Sequence, residues 1–141
     1  MGRVINPDSI GKRRTQLMRT SAEMLRHLSQ KPEIDDEAKD MLALLVYSLK
    51  EIADGITEST RAWEKRNYWI KIEKFEQRWG WAGQIAPKLE KLILSGEWQN
   101  LPQMMVKLFP YFADIKVTKF TRKAEEWQGQ YQKLQRENDA A

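Results

Sequence analysis

Residues 61–81 combine rings and positive charges in a pattern that could bind nucleic acid. Six aromatic side chains are interleaved with six Lys or Arg within these twenty-one positions. A protein holds single-stranded nucleic acid when its aromatic side chains stack on the bases and its Lys and Arg contact the phosphates. That chemistry requires the rings and the cations to face one groove, so the geometry of the stretch decides whether it is available.

The helical phase of the stretch separates its rings from its cations. At 100° per residue, one face carries Tyr68, Ile72, Phe75 and Trp79. The cations on a well separated face are Lys71, Lys74 and Arg78. Because aromatic stripes at helical spacing are usually core, we predict that Phe75 and Trp79 are buried. Trp69 and Trp81 do not fit the stripe, so they are candidates for contact with another helix or with a partner.

A second basic cluster lies near the start of the chain. With the cations of the first stretch, the candidate phosphate contacts are Lys12, Arg13, Arg14, Arg19, Lys71, Lys74 and Arg78. Residues 1–31 carry seven basic and two acidic groups, net +5, whereas residues 32–60 carry two basic and eight acidic groups, net −6. Neighbouring segments of opposite charge can neutralise each other. Nucleic-acid binding through basic faces of the first and third helices is therefore the alternative hypothesis, and no recognition-domain signature accompanies it.

Few residues could support metal binding or acid–base catalysis. His27 is the single histidine, and Glu23 lies four residues before it. A di-iron bundle instead needs a Glu-x-x-His motif twice, with two further Glu residues. The acids at 35–37 and Asp40 are better explained as favourable charges at a helix N-terminus than as a cation site. With no cysteine and no phosphate-loop or nucleophile-elbow motif, we predict a protein without catalytic activity, metal or cofactor.

The size and composition of the chain predict one domain in a reducing compartment. At 141 residues, it can bury roughly 68% of its unfolded surface without disulfides. The longest apolar run, residues 41–47, is about a third of a membrane span, and the first ten residues lack the apolar core of a signal peptide. We therefore expect a cytoplasmic protein with no membrane partner. Its single domain covers residues 1–141, with flexible ends at 1–6 and 136–141.

Helical periodicity dominates the chain, so helices must position the groups discussed above. A first helix is predicted to start at residues 6–8, where Asn precedes Pro and Asp, and to end before Pro32. A second helix is predicted over about 35–65, with apolar residues at alternating steps of four and three. A third follows over about 68–95 as one helix bent at Pro87.

The last third of the chain is harder to divide into helices. A short helix is predicted to begin near Asn100 and to end before Pro110. A final helix is supported by a stripe at steps of four and three: Phe120, Ala124, Trp127, Tyr131 and Leu134. Its start stays open between Asp114 and Thr121. The predicted fold class is therefore all-α, a bundle of about four to five helices around a long central hairpin formed by the second and third helices.

The middle of the second helix is apolar most of the way round, which predicts that it is central or meets a second subunit. Residues 98–112 are also rich in Met and aromatic side chains, which are enriched in recognition surfaces and could equally close one end of the bundle. The candidate interface residues are Met41, Leu44, Trp69, Trp81, Trp98, Met104 and Met105. We therefore predict a non-catalytic bundle that acts by association, with another protein or as a homodimer. A small-molecule pocket beside residues 98–112 is a third hypothesis.

Overall fold

The computed structural model describes residues 7–141, which form six α-helices and three short 3-10 helices. The α-helices are α1 (Pro7–Ser29), α2 (Asp36–Glu64), α3 (Trp69–Trp79), α4 (Trp81–Ser95), α5 (Leu101–Leu108) and α6 (Gln130–Ala140). No residue in 7–141 belongs to a β-strand, and the predicted all-α bundle is confirmed. None of these helices combines the length and the apolar character that crossing a membrane requires.

The central element of the bundle is α2, which packs against α1, α3, α4 and α6. Its buried residues occur in successive turns: Ala38, Met41, Leu42, Ala43, Leu45, Val46, Ser48, Leu49, Ile52 and Ile56. Burial of a large apolar side chain stabilises the fold by about 1.5–3 kcal/mol. Four helices of the same chain pack against α2, which agrees with the first of the two predicted alternatives, a central helix. Met41 is only 1% exposed.

The link between α1 and α2 follows the predicted boundaries. The first helix ends at Ser29, before Pro32, as expected from the restriction that proline places on the preceding residue. At the start of α2, the carboxylate of Asp35 accepts a hydrogen bond of 2.8 Å from the backbone N–H of Ala38. This bond satisfies one of the free N–H groups of the first turn. The predicted cap of the first helix at Asn6 lies outside the described residues.

The predicted third helix is divided into α3 and α4 at Gly80. The Gly80 N–H donates to the carbonyl oxygen of Glu76 at 2.7 Å, and a Cβ at residue 80 would lie 2.7 Å from the same oxygen. Glycine is required here because any side chain would force this carbonyl to move. Pro87 remains inside α4. The prediction of one helix bent at Pro87 is therefore corrected: the break lies at Gly80.

The aromatic stripe of the third helix is less buried than predicted. Ile72 is buried, but Phe75 and Trp79 are only partly buried, and Tyr68 is exposed. The ring of Trp63 in α2 meets the Phe75 ring edge to face at a centroid distance of 4.9 Å. The core assignment of Phe75 and Trp79 is corrected accordingly: both pack against the core, and part of each ring remains accessible.

The last helix begins later than either predicted start. Residues 113–123 contain no helix, and α6 starts at Gln130, directly after Gly129 with its left-handed φ of 80°. The predicted stripe is therefore divided between irregular and helical segments. Phe120 lies in the irregular segment, where its ring stacks on His27 at a centroid distance of 3.6 Å.

Candidate binding sites

A cleft of about 770 Å³ opens between α1, α3 and the start of α4. We call it the Arg14 cleft and define it by six of its lining side chains: Arg14, Phe75, Arg78, Trp79, Trp81 and Tyr111. Four of the six are aromatic and two are cationic. They come from α1, α3, α4 and the 3-10 helix at Phe109–Phe112, so the packing of distant segments creates the cleft.

Arg14 extends from α1 between two aromatic rings. Its guanidinium carbon lies 4.8 Å from the centroid of Phe75 and 5.2 Å from that of Trp79. Its Nε is buried and has no hydrogen-bond partner among residues 7–141. Burial, followed by the charge of Arg78, lowers the pKa of Arg14 below its ordinary value. Arg stays protonated in proteins, so the cleft contains a positive charge that the rings stabilise only in part.

The aromatic wall of the Arg14 cleft depends on the division at Gly80. Residues two positions apart lie on different faces of a continuous helix. The rings of Trp79 and Trp81 are nevertheless 6.5 Å apart and inclined by only 29°. Trp81 also stacks on Tyr111 at 4.2 Å, with 8° between the ring planes. The three rings thus form a stack beside Arg14, in which Trp81 is buried and Trp79 and Tyr111 keep part of their rings accessible.

The Arg14 cleft carries more positive charge than its surroundings neutralise. The guanidinium carbon of Arg78 lies 5.3 Å from the centroid of Trp79, the ring that Arg14 also contacts. Neither arginine forms an ion pair within the part of the chain that the structure describes. Arg19, at the edge, binds the carboxylate of Glu23 at 2.8 Å. Of the described residues that line the cleft, one is acidic, namely Asp114.

The predicted phosphate contacts divide between this cleft and the outer surface. Those that line the cleft are Arg14, Arg19 and Arg78. Those outside it are Lys12, Arg13, Lys71 and Lys74. The predicted separation of rings from cations missed several contacts. Lys71 lies over Trp63, Arg78 lies over Trp79, and Arg14 reaches Phe75 and Trp79 from α1. The contacts of Arg14 depend on how the helices pack, so no local sequence pattern could reveal them.

The turn between α2 and α3 is a second exposed feature, which we call the hairpin tip (residues 65–74). Asn67 lies within it and adopts a left-handed φ of 59° that helps to reverse the chain. Three successive apolar side chains follow it, with Tyr68 47%, Trp69 56% and Ile70 71% exposed. They line a shallow depression of about 700 Å³. Contiguous exposed apolar side chains mark interaction sites more often than scattered ones do.

The hairpin tip is basic as well as apolar. Its four cations are Lys65, Arg66, Lys71 and Lys74, and its one acid is Glu73. All four cations are exposed, and none forms an ion pair with another described residue. Sequence reasoning selected Trp69 and missed Ile70. Adjacent residues on a helix cannot share one buried face, so two bulky apolar neighbours off the stripe were a usable signal.

The candidate interface residues are distributed between the core and the surface. Those buried within the chain are Met41, Trp81 and Met105. Those partly buried against the same core are Leu44, Trp98 and Met104. A partner could not reach the three buried side chains unless the bundle opened. Their assignment to a surface is therefore corrected, and Trp69 is the member of the set that the folded chain exposes.

Glu23 and His27, the pair considered for metal binding, are engaged elsewhere. Glu23 is 0% exposed and accepts hydrogen bonds from the backbone N–H groups of Thr121 at 2.6 Å and Arg122 at 2.9 Å. Burial alone would raise the pKa of Glu23, but hydrogen bonds from Thr121, Arg122 and Arg19 outweigh it and lower the pKa to about 2. Burial also lowers the pKa of His27. Nowhere in residues 7–141 do three His, Asp or Glu side chains come together as a metal site would need.

No protein-family model matches the chain, and neither a curated protein nor a solved structure matches it. Its function is therefore inferred from the two surfaces described above.

Proposed function

We propose that this protein is a non-catalytic binding protein that uses the hairpin tip to dock onto another protein. The observation that supports the proposal is the exposure of Tyr68, Trp69 and Ile70 in immediate succession. Large aromatic side chains are the most frequent source of binding energy at protein interfaces. When a partner covers this cluster of two aromatic side chains and one isoleucine, the burial of their apolar surface favours binding.

The charges around the tip indicate the chemistry of the partner. Four cations and one acid give residues 65–74 a formal net charge of +3. The four cations have no partners among the described ion pairs. Charge complementarity favours a partner with an apolar groove for Trp69 and Ile70 and an acidic rim around it. A second copy of the tip would bring +3 against +3, which opposes a tip-to-tip homodimer.

A protein groove fits the tip better than an anionic lipid surface does. Glu73 lies between Lys71 and Lys74 in sequence and is exposed. A protein partner can supply a hydrogen-bond donor to this carboxylate, whereas anionic headgroups would repel it. The partner is therefore expected to contact Glu73 as well as the four cations.

Photo-crosslinking from the tip tests the proposal. A benzoylphenylalanine introduced at Ile70 should form one discrete adduct with another protein in the cells that produce this chain. The matched control is Val106 on α5, an equally apolar position that is 67% exposed. A crosslinker there should not form the same adduct. An adduct of two copies of this chain, or equal adducts from both positions, would contradict the proposal.

Binding measurements with the purified partner complete the test. Trp69→Ser should weaken binding at least tenfold, the usual effect of losing a central aromatic contact, while Val106→Ser should leave the affinity unchanged. Lys71→Glu with Lys74→Glu should slow association and reduce its salt dependence. Vesicles of phosphatidylcholine with 30% phosphatidylserine test the lipid alternative. If they bind the wild-type protein and do not bind Trp69→Ser, the tip recognises lipid and the proposal is wrong.

A further inference from the structure

We infer that the Arg14 cleft is a binding site for a small organic anion with a flat aromatic body. This site is separate from the hairpin tip and does not rest on the function proposed for the tip. The anionic group of the ligand would lie near Arg14 and Arg78. Its ring would lie against the accessible parts of the Trp79 and Tyr111 rings, which the buried Trp81 supports.

The position of the two arginines supports an anionic ligand. Both guanidinium groups lie over the ring of Trp79, at 5.2 Å and 5.3 Å from its centroid. Two positive charges near one ring repel each other, and the desolvation of Arg14 makes its charge harder to keep. An anion close to both would remove the repulsion and accept charge-assisted hydrogen bonds. No described residue serves that purpose in the folded chain.

The charge of Arg14 is incompletely compensated by the described residues. Its Nε is buried without a hydrogen-bond partner among them, whereas its two terminal guanidinium nitrogens are not among such buried atoms. Buried polar groups in folded proteins nearly always find a partner, so this site of the folded chain is costly. A carboxylate or phosphate oxygen in the cleft would bind the terminal nitrogens and could bridge towards Arg78, which would compensate the charge.

The aromatic wall supports a flat body on the ligand. Trp81 and Tyr111 stack with nearly parallel planes, and Trp79 continues the wall at 6.5 Å. A flat ligand gains area burial and ring–ring attraction against the accessible parts of Trp79 and Tyr111. The cleft volume of about 770 Å³ lies within the range of ordinary small-molecule sites. An inorganic anion would leave the rings uncovered, and a neutral aromatic compound would leave the arginines unpaired.

The acid at the edge of the cleft limits the charge of the ligand. Asp114 is exposed and belongs to the lining, so a second anionic group placed near it would be repelled. The preferred ligand therefore carries one anionic group, either a carboxylate or a phosphate monoester.

Calorimetric titration with defined probes tests the inference. The probes are 2-naphthoate, which joins a carboxylate to two fused rings, and AMP, which joins a phosphate to a purine. At least one should bind with a Kd below about 1 mM, which corresponds to about −4.1 kcal/mol. The probe with the lower Kd identifies the anion. Neutral 2-naphthalenemethanol and inorganic phosphate, which each lack one half of the ligand, should bind at least tenfold more weakly.

Matched arginine variants locate the site. Arg14→Gln and Arg78→Gln should each weaken the bound probe at least tenfold. Arg13→Gln is the control, because Arg13 is adjacent in sequence but pairs with Glu51 outside the cleft. Arg78 is exposed, so its variant is expected to fold even if Arg14→Gln does not. Unchanged affinity in Arg78→Gln would overturn the inference.

Two further outcomes would also overturn it. One is the absence of binding by both probes at millimolar concentration. The other is tight, salt-sensitive binding of a single-stranded oligonucleotide that both arginine variants abolish while neither small probe binds. That result would assign the cleft to nucleic acid, with bases on the aromatic wall and phosphates at the arginines.

Discussion

Two charged residues of α1, Glu23 and Arg14, are removed from water in opposite ways. Glu23 is 0% exposed and receives hydrogen bonds from Thr121, Arg122 and Arg19 at 2.5–2.9 Å. Arg14 is partly buried between Phe75 and Trp79, and its Nε has no partner among residues 7–141. The folded chain thus supplies hydrogen-bond donors to the Glu23 carboxylate, and it leaves the buried Nε of Arg14 without an acceptor among the described residues.

The difference separates a structural charge from one available for binding. Removing a charge from water is costly, and hydrogen bonds or an opposite charge must offset that cost. At Glu23, residues about 98 positions later supply the bonds and thereby fasten the irregular segment 113–123 to α1. At Arg14, aromatic rings supply only a modest attraction. Substitutions in the two regions should therefore differ strongly in their effect on stability.

The largest effect is expected from Glu23→Ala. The variant leaves two backbone N–H groups and the Nε of Arg19 without their acceptor, so the free energy of unfolding should fall by about 3–5 kcal/mol. Urea titration measures the loss. Glu58→Ala on α2 is the control, because Glu58 is exposed and should cost less than about 0.5 kcal/mol. A loss below about 1 kcal/mol at Glu23 would remove the distinction between the two regions.

Acid should lower the stability of the fold by protonating the Glu23 carboxylate. The folded pKa of Glu23 is about 2, compared with an ordinary value of 4.5. Because the folded pKa is depressed, the stabilisation is fully present above pH 4.5 and is lost as the pH falls from 4.5 towards 2. The difference corresponds to about 3 kcal/mol. Urea titrations between pH 6 and pH 2.5 should show this component in the wild type and not in Glu23→Gln. If the stability of the wild type and of Glu23→Gln changed equally with pH, the acid-sensitive component would not come from Glu23.

The Arg14 region depends on the division between α3 and α4, which two alanine substitutions can test. Gly80→Ala should cost about 1–3 kcal/mol, because the new Cβ would lie 2.7 Å from the Glu76 carbonyl oxygen. Gly83→Ala should instead stabilise the protein by about 0.4–1 kcal/mol. Its Cβ would meet only the Ala53 Cβ, at an ordinary 3.6 Å. Thermal or urea unfolding of both variants gives the sign of each change in the free energy of unfolding. Two changes of the same sign would contradict the steric explanation of the break at Gly80.

The sequence predicted the elements that depend on local signals. The end of α1 follows from Pro32, the start of α2 follows from the Asp35 cap, and the central position of α2 follows from its broad apolar character. The division at Gly80 was missed because glycine is tolerated inside helices and the apolar stripe keeps its phase across it. The steric reason for the division is a contact between backbone atoms, which residue types do not reveal.

Features that depend on distant contacts were not predictable in the same way. The irregular segment 113–123 is held by Glu23, and its residues Phe120 and Thr121 looked like parts of a final helix. The Arg14 cleft likewise requires α1 to pack beside α3. The sequence did indicate which side chains could act there, since it selected both arginines and the tryptophans, but it assigned the rings and the cations to separate faces.

The smallest effect is expected from Arg14→Met, which should change the free energy of unfolding by less than about 1 kcal/mol. Methionine keeps most of the apolar contact with Phe75 and Trp79 and loses the cation–ring attraction. It also removes the repulsion by Arg78 and the desolvated charge, so the gains and losses nearly cancel. Urea titration of the variant measures the result.

Salt and a second methionine variant make this last comparison decisive. Screening should stabilise the wild type slightly more than Arg14→Met, because only the wild type contains the repelling pair. Arg122→Met in the Glu23 region should cost about 1–3 kcal/mol, since Arg122 donates to the Thr20 hydroxyl and the Gln16 carbonyl at 2.9 Å. If Arg14→Met cost more than about 2 kcal/mol, Arg14 would be a structural charge like Glu23. The charge of Arg14 would then no longer support a ligand site in the cleft.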